Sequence, residues 1–112
     1  MGKVIFVPYN GKIADITKAD TNNHFLDLAA ALGETRKIIV VIVRAYRVSG
    51  VGTMFAYPNE GSQKVQIGNS LSGQENTLGV IGIADGTGQL QYSQGLANDD
   101  WDLYCFGYWV QA

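Results

Sequence analysis

The chain has 112 residues, 46% of them apolar and 16% charged, with a formal net charge of -2 and a pI of about 5.1. That length sets a single domain near the size at which one core sustains itself, and the apolar content excludes intrinsic disorder. The weak acidity offers no basic field to hold a phosphate backbone, which argues against nucleic acid as a partner.

Fourteen glycines against two prolines suit an all-β protein with many tight turns. The single cysteine, Cys105, cannot form an internal disulfide, so the fold is not a disulfide scaffold. The opening MGKVIFVPYNGK has an apolar run too short for a signal peptide and no small-residue cleavage site. Phe6 departs from the myristoylation pattern. No apolar run approaches the roughly 20 residues of a membrane span. The expectation is a protein made in a cytoplasm that stays soluble there or leaves within a larger particle, with no membrane partner.

Residues 3–8 (KVIFVP) form a short apolar strand closed by Pro8, with Tyr9-Asn10-Gly11 as the turn after it. Val4, Ile5, Phe6 and Val7 thus belong to an arm or edge strand over 1–10, ahead of a sandwich domain over 11–112. KIADIT (12–17) is the next strand and ADTNN (19–23) a polar loop. HFLDL (24–28) alternates, and Ala29 to Leu32 followed by Gly33 makes one helical turn with a glycine stop. A longer helix over 22–32 is the alternative, since Phe25, Leu28, Ala29 and Leu32 fall at helical spacing.

The organising stretch is TRKIIVVIVRAYRV (35–48), whose centre is six consecutive β-branched residues. On an unbroken strand Ile38, Val40 and Ile42 share one face, and Ile39, Val41 and Val43 the other, so both need cover. Ser49-Gly50-Val51-Gly52 then reads as a hairpin returning through TMFAY (53–57), with Pro58 to Ser62 as turns. KVQI (64–67) alternates, 69–76 is a polar loop, and TLGVIGIA (77–84) is a buried strand whose Gly79 and Gly82 admit a neighbouring layer closely. Asp85-Gly86-Thr87-Gly88 is the strongest turn signal and links that strand to QLQYS (89–93) as a hairpin. The last strand, WDLYCFGYWV (101–110), holds five of the twelve aromatic residues. Unbroken alternation puts Trp101, Leu103, Cys105 and Trp109 on one face, and Tyr104, Phe106 and Tyr108 on the other. The whole reads as a single-domain, all-β sandwich, jelly-roll-like, of about eight antiparallel strands with at most one short helix.

Reactive chemistry finds little support. His24 lacks a second histidine for zinc and a nucleophile beside it, so it reads as a turn residue. Asp99, Asp100 and Asp102 beside Asn98 offer oxygen ligands, but without the spacing of a helix-loop-helix calcium loop. Asp85-Gly86-Thr87-Gly88 has no lysine-serine pair after it to make a phosphate loop. Cys105 has no basic neighbour and reads as a packed thiol. No catalytic residue, metal or cofactor is expected. Two strands apolar on both faces exceed what a lone two-layer sandwich hides, which argues for a homo-oligomer. Its core or interface would be made by Ile38, Ile39, Val40, Val41, Ile42, Val43, Tyr104, Phe106 and Tyr108.

The run IADGTGQLQYSQGLANDDWDLYCFGYWV (83–110) resembles the closing part of small β-sandwich domains of tailed-phage virion proteins, both fibre modules and capsid-surface proteins. The matching residues are Asp85, Gly86, Leu90, Tyr92, Leu103, Gly107 and Tyr108. HFLDLAAALGETRKIIVVIVRAYRV (24–48) is similar to their earlier half. The resemblance spans roughly 12–110 and rests on turns and core positions. It implies a jelly-roll-like sandwich, commonly trimeric, with a structural or adhesive role and no catalytic residues. The absence of a coiled-coil stalk favours a capsid decoration protein over a fibre module. The expectation is therefore a homotrimer on the virion surface, made in the host cytoplasm, with the major capsid protein as partner and Val4 to Val7 as its attachment arm. The alternative is a carbohydrate-binding module for adhesion. Asn98, Asp99 and Asp100 would there meet sugar hydroxyls of a surface glycan, beside Trp101, Tyr104 or Tyr108 as stacking platforms.

Overall fold

A computed structural model of the chain describes residues 2–57, 64–68, 78–83 and 88–112. In order the elements are β1 (Val4–Val7), β2 (Gly11–Ile16), β3 (His24–Asp27), α1 (Leu28–Leu32), β4 (Lys37–Ser49), β5 (Met54–Tyr57), β6 (Val65–Gly68), β7 (Gly79–Gly82), β8 (Gln89–Gln94) and β9 (Asp100–Gln111).

The antiparallel pairings are nested: β2 with β9, β3 with β8, β4 with β7, and β5 with β6. Two more pairs, β4 with β9 and β5 with β8, join these ribbons side by side. One sheet, here sheet A, has the order β1-β9-β4-β7, with β2 on the same edge of β9 as β1; sheet B has the order β3-β8-β5-β6. A ribbon folded on itself in this way and rolled into two facing sheets is a jelly roll. Two expected hairpins are corrected by this topology. The turn after β4 and the connection after β7 each cross from sheet A to sheet B, so neither joins paired neighbours. Asp85, Gly86 and Thr87, the turns at 58–62 and the loop at 69–76 lie outside the described residues.

The short-helix reading holds and the longer one does not, because His24 to Asp27 pair with β8 as a strand. Asp27 caps α1 by accepting from the Ala30 N–H at 3.1 Å. Gly33 stops it in the left-handed region, at φ 66°, with its N–H on the carbonyls of the last turn.

The core lies between the sheets. Val41, Val43, Leu103, Cys105 and Val110 of sheet A face Met54, Ala56, Ile67 and Leu90 of sheet B, all with no exposure. Gly79 serves the close approach expected of it, since a Cβ there would lie 2.5 Å from Ile67 Cγ2.

Two bulges decide which residues join that core. In β4 the pairing shifts between Ile38 and Val40, so Ile38 shares the inner face with Val41 and Val43. In β9 it shifts between Cys105 and Gly107, opposite the step from Ile42 to Val43. Tyr108 and Val110 therefore turn inward with Trp101, Leu103 and Cys105, while Trp109 turns outward with Tyr104 and Phe106. The face assignments expected from unbroken alternation are corrected in both strands, because one extra residue inverts every side chain beyond it.

Candidate functional site

The most distinctive surface is the outer face of sheet A. Cross-strand register lines up its side chains in rows. Val40 stands opposite Trp109, and Trp109 opposite Phe6 of β1. Ile42 stands between Gly107 and the exposed Val80 of β7. Next come Arg44, Tyr104 and Lys12, with the Arg44 guanidinium 5.1 Å from the Phe106 ring centroid. At the far end are Tyr46, Asp102 and Asp15. Antiparallel sheets with a solvated face alternate apolar-in with polar-out. Here the middle of the outer face is aliphatic and aromatic, with Val80 at 64% and Phe6 at 43% exposure.

β1 locks onto this face through one side chain. Gly107 sits in the β9 bulge at φ 140°, and a Cβ there would lie 2.4 Å from the Phe6 ring. The glycine thus serves twice, permitting the backbone angle and leaving a notch for the ring. Trp109 walls the notch, its ring centroid 4.8 Å from that of Phe6. Val4 to Val7, expected as an arm or an edge strand, are here an edge strand in register with Tyr108 to Gln111.

The polar end of the face holds a carboxyl pair directly across two strands. Asp102 is raised above the usual carboxylate range, first by its hydrogen bond with Asp15 and then by burial. The same bond, together with Lys12, lowers Asp15. Lys12 Nζ lies 3.1 Å from Asp15 Oδ1 and 4.0 Å from Asp102 Oδ1.

The candidate glycan residues are placed differently from expectation. Trp101 has no exposure and packs over Gly68 in the core, so it cannot stack on a sugar. Asp99 is buried at 6% exposure and accepts from the Gly52 N–H at 2.7 Å, clamping the β4–β5 loop to the β8–β9 loop. Buried Gln94 continues the clamp: its Oε1 accepts from Lys18 N–H at 2.7 Å and its Nε2 donates to the Asp99 carbonyl at 2.8 Å. Asn98, at φ 66°, donates its N–H to the Lys18 carbonyl, and Asp100 accepts from Thr17 Oγ1 at 3.2 Å. These groups knit three loops together. Tyr108 likewise is a core residue at 4% exposure, whereas Tyr104 is half-exposed on sheet A.

At the opposite end Glu34 is the anchor. Its carboxylate accepts from Arg36 Nε, Nη2 and N–H and from the Tyr108 hydroxyl, each at 2.9 Å. Those donors, Arg36 first, hold its pKa at about 2, while burial and the neighbouring Glu34 push Tyr108 up to about 12. His24 sits at the start of β3 with Nε2 2.7 Å from Asp20 Oδ1. Cys105 is fully buried, and burial pushes its thiol up.

Sequence reasoning missed Glu34, Gln94 and the Phe6–Gly107 notch. Only the last left a trace, as a lone glycine inside a strand of aromatic residues. Comparison with protein families, with curated proteins and with solved structures finds no match to this chain.

Proposed function

We propose that the chain is a non-enzymatic structural protein of a phage virion, assembling as a homotrimer and decorating the outer surface of the capsid. The observation that carries this reading is the apolar outer face of sheet A, built from Val40, Ile42, Val80, Phe106, Trp109 and Phe6. β1 and β7 have only four residues each, so the apolar middle of this face is confined to the stretches of β9 and β4 that they flank. A contiguous apolar patch on an exposed sheet face marks an interaction site. The jelly roll is common to viral capsid and lectin domains, so the outer face, and not the architecture, separates the two readings. The resemblance to tailed-phage sandwich domains supplies the virion setting and the major capsid protein as partner.

The carbohydrate-binding alternative loses its central stacking residue to the core, and its carboxylate Asp99 to a loop clamp. A paired substitution, Val80→Lys with Phe106→Glu, tests the proposal. Both side chains lie on the outer face and neither contributes to the buried core. The reading predicts an oligomer for the parent chain and a folded monomer for the variant by light scattering. Unchanged mass in the variant would count against this face.

A further inference from the structure

We infer that β1 is exchanged between copies, each subunit's Phe6 filling the Gly107 notch of a neighbour; this rests on the assembly reading above. The notch is made by β9 alone. Its opening comes from the Gly107 backbone at φ 140° and its wall from Trp109, so it accepts the β1 of any copy with the same contacts. The tie within one chain is a single edge pairing, Val4 to Val7 on Tyr108 to Gln111, with Val7 also against the core. β1 pairs only with β9 among the described strands, and Val4, Ile5 and Phe6 remain 60%, 37% and 43% exposed after docking. What holds β1 is edge pairing and the notch contact, both of which a neighbouring copy reproduces unchanged.

The hinge is equally well marked. Tyr9 packs against the core and lies over Gly11, with its ring 6.4 Å from that of Tyr108, so the chain is anchored directly after Pro8. Pro8 stands between the two parts, lacks an N–H to donate, and holds Val7 extended. Turning about this point carries β1 away from the body without disturbing β2. Phe6 and Trp109 also lie on the face proposed to meet other copies, so a neighbour's notch is close when subunits assemble. Around a threefold axis the exchange runs one way and closes in a ring.

The test uses the register pair Val4 and Gln111, which are not core residues. The V4C/Q111C double variant is oxidised at assembly concentration and run on a denaturing gel without reductant. Exchange predicts covalent dimers and trimers; a band at single-chain mass alone overturns it. Light scattering on the parent chain separates the two claims. A monomer there defeats the assembly reading itself, whereas an oligomer with only intrachain cross-links defeats exchange alone.

Discussion

Glu34 and Asp99 are buried carboxylates with opposite assignments in the molecule: one ties the loop after α1 to β9, the other ties two loops at the far end. Glu34's folded pKa of about 2 lies below its ordinary 4.5. Its stabilising contribution is therefore complete above about pH 4.5 and fades as pH falls toward 2. Tyr108 lies the other way. Its neutral form is favoured up to about 12 rather than 10, so its contribution is lost as pH rises between those values. Urea midpoints followed across pH should fall at both extremes. Glu34→Gln should flatten the acid limb; an unaltered limb would show that other carboxyls govern it. At Asp99, alanine leaves the Gly52 N–H without its acceptor and should cost about 1–3 kcal/mol in urea unfolding. Neither carboxylate was visible as buried from the sequence, where each sits among polar loop residues and the groups that cover it, Tyr108 over Glu34 and the Gly52 loop over Asp99, come from distant positions.

At the scale of elements, strands were legible and their faces were not. The β-branched run at 38–43 and the aromatic run at 101–110 announce β4 and β9. Because residues of both parities are apolar, neither run records where an extra residue sits, and the bulges invert the alternation unseen. Turn chemistry was read well at Gly33 and misread after β4, since a glycine-rich turn looks the same whether the chain returns in its own sheet or crosses to the other. The β9 bulge yields a sharp test. Gly107→Ala meets both a strained φ and the Phe6 ring, and should cost about 1–3 kcal/mol. In a Phe6→Ala background the loss should shrink, because the ring collision is gone while the backbone strain stays. Equal losses in both backgrounds would show that the ring does not sense this position.

The whole molecule is a rolled ribbon with one inner core and one outer face that resembles a core. The jelly roll was legible from the spacing of turns and strands, and so was an excess of apolar strand face before either face could be named. The structure assigns that excess: Ile38, Val41, Val43 and Tyr108 to the inside, and Val40, Ile42, Tyr104, Phe106 and Trp109 to the outside. The carboxyl pair of Asp15 and Asp102 lies at the edge of this outside face, where burial against another copy disfavours two adjacent charges. Lys12 offsets part of that charge, so assembly should tighten as pH falls into the raised range of Asp102, and Asp15→Asn should weaken that dependence. A pH-independent association would remove the pair from the interface.

The most direct test of the account is the solution mass of the parent chain by light scattering over a wide concentration range. A homotrimer gives three times the 12.1 kDa chain mass, falling toward one chain only on dilution. A mass of 12.1 kDa at every concentration would contradict it, leaving the outer face of sheet A uncovered by its own kind.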